Sequence, residues 1–324
     1  MQHASQHFDR VTILSISVVY RSSIVEIGRR FLNRAVLPNL TRLGLVSQET
    51  DDTSAFVDDD DDHMSRYEKC TAHPEFPELR ELQIDARSFF DLYLCDTEYP
   101  CNQFKLRLTK YGAAADTHSK YESANMLDLI DALSELSRAV NTFDLEIEDV
   151  ATPPDDLGWG HKASYPRIEN IASVKLVNIQ GPFVSTLFDC MSEAPESTII
   201  ERCEVKEHTV MKGEELRLVG ISGPSLLYLV GFWEGLSLSV KDCSGFNDDF
   251  LDALSKHSRG VTCSNMESLE VEGCTAFSAE MLRDTCDIRD NIEQLTVSDG
   301  PELNEVQRMW FEDNFDRFYW SEMK

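Results

Sequence analysis

The side chains that could do chemistry in this chain are cysteines, carboxylates and a few histidines, so their spacing comes first. Nine cysteines (Cys70, Cys95, Cys101, Cys190, Cys203, Cys243, Cys263, Cys274 and Cys286) are scattered and never form C-x-x-C. An odd number without pairing rhythm predicts reduced thiols rather than a disulfide frame or a zinc site. Cys263 and His257 are the nearest Cys/His pair in sequence, but no orienting third group stands beside them, so no nucleophile is assigned. Five consecutive aspartates, Asp58 to Asp62, lack the alternating ligands and turn glycine of a calcium loop. They read as a solvated acidic insertion within residues 48–73. His161 follows Trp159 in a Gly-rich stretch with no second ligand at metal spacing, whereas Trp159 is a candidate protein-contact anchor. Phosphate-loop, dinucleotide, zincin and kinase patterns are missing, and Gly220-Ile-Ser222-Gly223 is too short for a nucleophile elbow. The expectation is a non-enzyme with no cofactor and no metal.

Charge narrows the partner. The 324 residues carry 58 Asp plus Glu against 30 Lys plus Arg, a formal net charge of -28. Such a chain repels phosphate backbones and anionic lipid, so neither nucleic acid nor membrane is expected as partner. No apolar run reaches membrane-spanning length and no secretion signal opens the chain, which predicts an intracellular protein, cytoplasmic or nuclear.

The elements that position these groups repeat. Met266-Glu-Ser-Leu269-Glu-Val271-Glu-Gly-Cys274 fits apolar-x-x-apolar-x-apolar-x-x-Cys, the leucine-rich-repeat template. Copies begin at Val11, Leu40, Leu79, Ile171 and Ile292, and weaker ones surround Leu106, Leu145, Thr198, Leu216 and Leu238. The central positions run from Leu14 to Leu295 at a mean interval of about 28 residues, inside the range of roughly 20 to 29 for this class. Period-2 alternation sends each apolar pair inward and the residue between them outward. Helical spacing appears between the copies, at 24–35, 123–139, 183–191, 248–257, 278–290 and 304–318. The fold expected is α/β: one leucine-rich-repeat solenoid over 1–324, a horseshoe with a parallel sheet on its concave face and helices on its convex face. A capping helix around 304–320 carries Trp310, Phe311, Phe315, Phe318 and Trp320, which shield the last repeat.

The outward row predicted from this register is Gly44, Gln83, Arg107, Glu146, Lys175, Arg217, Ser239, Glu270 and Thr296. It points to recognition of a protein partner on the concave face, with Glu146, Lys175, Arg217 and Glu270 as candidate contacts beside Trp159. An acidic binder of histones or other basic proteins is the alternative.

The last ninety residues resemble the repeat region of fungal F-box and leucine-rich-repeat proteins, of the type found in mushroom-forming fungi. The likeness rests on Leu238-Ser-Val240-Lys-Asp-Cys243, on Asp248 to Leu254, on Phe277 to Leu282 and on Leu295-Thr-Val297-Ser-Asp-Gly-Pro. The resemblance implies a substrate receptor of a cullin-RING ubiquitin ligase, with an F-box holding the ligase adaptor. No F-box is recognisable here: Leu37-Pro38 is followed by Leu40, Leu43 and Leu45 in strand spacing.

Overall fold

A strand in which every second residue is a large aliphatic can bury only one edge, and it needs neighbours with the same alternation to close a core. That condition is met in a computed structural model. It describes residues 5–32, 35–49, 75–92, 99, 101–112, 126–151, 166–179, 182–205, 209–255 and 263–323. Among these residues the architecture is α/β, with twelve strands hydrogen-bonded in sequence order. The chain forms two compact units, Met1–Ala172 and Ser173–Lys324.

The first unit holds β1 (Ile13–Tyr20), β2 (Arg42–Glu49), β3 (Glu81–Asp85), β4 (Phe104–Gly112) and β5 (Phe143–Ala151), with helices α1 (Arg21–Ile27), α2 (Ala86–Asp91) and α3 (Met126–Ala139). Its parallel pairs set Leu14 against Leu43, Leu43 against Leu82, Leu82 against Leu106 and Leu106 against Leu145. The inward pairs of β2 to β5, from Leu43 and Leu45 to Leu145 and Ile147, are buried, with α3 supplying Leu129, Ile130, Leu133 and Leu136 to the same core. On α3, Ser134 Oγ donates to Arg167 O at 2.7 Å, and Ser137 O accepts from Asn170 Nδ2 at 3.0 Å, fixing the helix to the segment after β5.

The division between the units falls inside β6 (Ile171–Val177). The second unit continues with α4 (Phe183–Cys190), β7 (Ser197–Glu201), β8 (Glu215–Val219), α5 (Ser225–Val230), β9 (Ser237–Lys241), α6 (Asp248–Ser255), β10 (Ser268–Glu272), α7 (Ala279–Ile288), β11 (Gln294–Gly300), α8 (Glu305–Asn314) and β12 (Arg317–Glu322). Val174, Thr198, Leu216, Leu238, Leu269, Leu295 and Phe318 stand in one register, each paired with the next. Thr198 occupies a core position because its Oγ1 donates to Lys212 O at 3.0 Å, so its hydroxyl is buried with a partner.

Eight consecutive strands, β4 to β11, share one backbone feature. The residue four beyond the central position takes a left-handed conformation at Lys110, Asp149, Asn178, Arg202, Gly220, Asp242, Gly273 and Asp299, with φ between 49° and 65°. Asp, Asn and Gly fill six of the eight places, since these residues tolerate positive φ at least cost. Helix starts follow local chemistry as well. Ser278 Oγ accepts from Met281 N at 3.2 Å and Asn247 Oδ1 from Phe250 N at 2.9 Å, while Asn304 and Gln307 form a capping box.

The C-terminus departs from the expected helix. Instead of running to Phe318, α8 stops at Asn314, whose Nδ2 donates to Trp310 O at 2.7 Å, and β12 follows. Phe318 and Trp320 alternate with Arg317 and Tyr319 in the same way as the apolar pairs of other strands, and pairing with β11 decides the conformation. The aromatics still pack together: Phe311 stacks on Phe318 at 5.5 Å and lies 5.3 Å from Trp320, whose Nε1 donates to Pro301 O at 3.0 Å.

Two neighbouring substitutions test the alternation. Leu269→Ala is expected to destabilise the protein by about 2 to 5 kcal/mol in urea unfolding, whereas Glu270→Ala, on the other side of the same strand, shifts it by no more than about 0.5 kcal/mol. Equal effects would contradict the register.

Candidate functional site

The side of each unit's strands away from the core is the candidate surface, and parallel pairing determines which side chains share it. In the first unit the direct neighbours are Gly44, Gln83, Arg107 and Glu146. These side chains are tied to one another. Arg107 Nη2 meets Glu148 Oε2 at 2.8 Å and its Nε lies 3.7 Å from Glu146, which also lies 3.9 Å from Lys105. The hydrogen bond to Glu148 raises the pKa of Arg107, with Glu146 adding to the effect. Glu146 has only 14% of its side chain exposed, so much of its charge is already compensated by its own strand neighbours. On the row before it, Arg42 and Glu81 pair at 2.6 Å.

In the second unit Lys175, Ile199, Arg217, Ser239, Glu270, Thr296 and Tyr319 form the corresponding row. Three predicted contacts, Lys175, Arg217 and Glu270, therefore lie two strands apart in succession, about 10 Å per step. Arg217 and Glu270 are exposed, and Lys175 is half-buried. One position further along, Lys241 Nζ meets Glu272 Oε1 at 2.6 Å, and that hydrogen bond raises the lysine's pKa. Glu146 belongs to the first unit, and Trp159, His161, His257 and the Asp58 to Asp62 run lie outside the described residues.

Two members of the row are absent from the sequence reading. Ile199 lies between the inward Thr198 and Ile200, and alternation places it outward. Tyr319, 57% exposed, was hidden by the reading of its segment as helix. The completed face is electrically balanced: Lys175, Arg217, Lys241 and Arg317 are matched by Glu201, Glu215, Glu270 and Glu272. The chain's net charge of -28 is carried elsewhere.

The cysteines serve the turns. Cys203 Sγ accepts from Ile179 N at 3.3 Å, Cys243 Sγ from Ile221 N at 3.2 Å, and Cys274 Sγ from Cys243 N at 3.4 Å. Each sulfur therefore takes up a backbone N–H left by the preceding strand's left-handed turn. Burial pushes the Cys203 thiol up to about 11 and the Cys263 and Cys274 thiols up to about 12. Cys263 Sγ donates to Val230 O at 3.0 Å, and its carbonyl accepts from the buried Arg289 guanidinium at 3.2 Å, which also closes α6 through Leu254 O at 2.7 Å. Burial and these backbone hydrogen bonds give the thiols a structural place in the turns. Among the described residues no three His, Cys, Asp or Glu side chains gather as a metal-ligand set, and no helix is long and apolar enough to cross a membrane.

Comparison of the chain with protein-family models, with curated proteins and with solved structures gave no match.

The thiol environments give a pH prediction. A thiol whose folded pKa lies above its unfolded value of about 8.5 keeps its full contribution to stability below that value and loses it as pH rises toward the folded pKa. Unfolding free energy is therefore expected to fall between about pH 8.5 and 12, and less steeply in Cys203→Ala/Cys274→Ala than in wild type. An unchanged slope would contradict the burial of these groups, as would labelling of either thiol by Ellman's reagent in the folded protein at pH 7.5.

Proposed function

We propose that this chain is a leucine-rich-repeat solenoid of the horseshoe class that recognises another protein through the outward side of its parallel strands. One observation carries the reading. Side chains of mixed charge and shape, Lys175, Ile199, Arg217, Ser239 and Glu270, stand on consecutive strands whose inward neighbours are buried and whose backbones are paired. Such a row offers a preorganised pattern of charge for setting specificity and encounter rate. The repeat interval, the shared left-handed turn and the cysteine ladder support the repeat class.

The likeness of the last ninety residues to fungal F-box and leucine-rich-repeat proteins supports a narrower role: holding the substrate of a cullin-RING ubiquitin ligase. The ligase adaptor is then a second partner, contacted outside the repeats.

A photo-crosslinking residue at Ser239 is expected to capture a discrete partner in cells expressing the chain, and the same residue at Glu280 on α7 is not. Lys175→Glu/Arg217→Glu/Glu270→Arg should weaken that capture at least tenfold, a loss of about 1.4 kcal/mol or more. Equal capture from both positions, or capture indifferent to charge reversal, would overturn the reading. Recovery of the cullin-RING adaptor with the chain tests the narrower role.

A further inference from the structure

A second surface of the Ser173–Lys324 unit lies where its strands begin. Two residues before each central position, the second unit places Glu196, Glu214, Leu236, Glu267, Glu293 and Asp316, all exposed. The backbone stacks them in that order. Glu215 N donates to Glu196 O at 3.1 Å, Leu236 N to Glu214 O at 2.8 Å, Glu267 N to Leu236 O at 2.8 Å, Glu293 N to Glu267 O at 2.8 Å, and Asp316 N to Glu293 O at 3.0 Å. Six residues across five strand gaps cover about 24 Å. Five of the six are carboxylates, and among the described residues none of them is held in an ion pair. The same position in the first unit is occupied by Thr12, Thr41, Arg80, Phe104 and Phe143, so the charge is not demanded by the repeat.

The one interruption, Leu236, sits at a groove of about 600 Å³ lined by Val210, Met211, Phe232 and Leu236 on its apolar side and by Glu214 and Glu234 on its polar side. The groove has a cause in the sequence. Three residues before the central position most copies carry a large apolar side chain, such as Ile171, Met266 or Ile292, but β8 and β9 carry Gly213 and Gly235. Trp233 fills the interior behind them, with its Nε1 donating to Gly213 O at 2.9 Å, and a Cβ on Gly235 would collide with Gly213 O and with the indole. Val210 and Leu236 remain 51% and 40% exposed in front. The groove's own lysine is committed: Lys212 Nζ donates to Met191 O.

We infer that this groove and its carboxylate column dock a basic peptide segment of another protein, one large apolar side chain entering beside Leu236 and flanking Lys or Arg side chains meeting Glu214, Glu267 and Glu293. An apolar anchor alone would not select for charge, and carboxylates alone would attract any cation. Together they define a segment that is basic on both sides of one apolar residue. This surface is distinct from the row holding Arg217 and Glu270, and it stands or falls independently of that row.

The test uses the full chain and nine-residue peptides followed by fluorescence anisotropy. The probe has a central phenylalanine with alternating lysine and serine on both sides; one control replaces phenylalanine with serine, and another replaces the lysines with glutamates. The probe should bind at least tenfold more tightly than the serine control, and the glutamate peptide should not bind. Val210→Ser/Leu236→Ser should abolish the preference for phenylalanine, and Glu214→Gln/Glu267→Gln/Glu293→Gln should weaken the probe at least fivefold. Glu280→Gln on α7, away from both surfaces, should leave binding unchanged. Equal affinity for the phenylalanine and serine peptides, the result of unspecific attraction to an acidic chain, would overturn the inference. A phenylalanine preference that survives Val210→Ser/Leu236→Ser would overturn it too, as would no binding of the probe at all.

Discussion

Parallel pairing without slippage is the constraint on which the rest depends. Because side chains alternate along a strand, a shift of one residue would bring Glu270 into the core and Leu269 to the surface. Leu238, Leu269 and Leu295 are direct partners, and the inward neighbours Val240, Val271 and Val297 follow two residues on. Burial of those pairs fixes the register, and the register fixes what the opposite side displays. The strand ends reinforce it: from β4 to β11 a left-handed residue stands at the same place, and after three of these strands a cysteine sulfur from the next copy accepts a backbone N–H beyond the turn. A buried N–H without a partner costs about 1 to 3 kcal/mol, so the thiols belong to the framework.

Much of this was legible as spacing. Alternating apolar residues, recurring at uneven intervals, located eleven strands, because burial of an alternating pair leaves a mark that survives irregular loops. The misses have separate physical causes. Between Arg317 and Glu322 the local sequence is rich in aromatics and follows a helical stretch; only pairing with β11 makes it a strand, and that pairing is tertiary. Helix α5 is six residues long, too short for a periodic signal, and it holds its place through packing of Leu226, Leu229 and Val230. The left-handed turn was visible in principle as Asp, Asn or Gly four residues beyond the central position of most strands from β4 to β11, but Lys110 and Arg202 obscure the pattern.

The candidate surfaces were legible to different degrees. Alternation alone identifies the outward row, yet it cannot tell that Glu146 is compensated by Arg107 and Lys105 while Arg217 and Glu270 remain exposed. Nor does overall charge describe any one surface. A chain of net charge -28 has an outward row in its second unit where cations and carboxylates balance, and a column at its strand starts where carboxylates stand together. Charge balance along a row favours discrimination by pattern, whereas the column favours attraction by sign.

Distance across the strands tests the central claim most directly. Nitroxide labels introduced in Ile199→Cys/Thr296→Cys, in a chain with Cys70, Cys95 and Cys101 replaced by serine, occupy the same row on β7 and β11, four strand gaps apart, while Cys190, Cys203, Cys243, Cys263, Cys274 and Cys286 are buried. Pulsed dipolar spectroscopy should give a single distribution centred near about 20 to 25 Å, from about 4.8 Å per gap plus the label arms. A centre beyond about 35 Å, or two well-separated populations, would show that these strands do not share one in-register sheet.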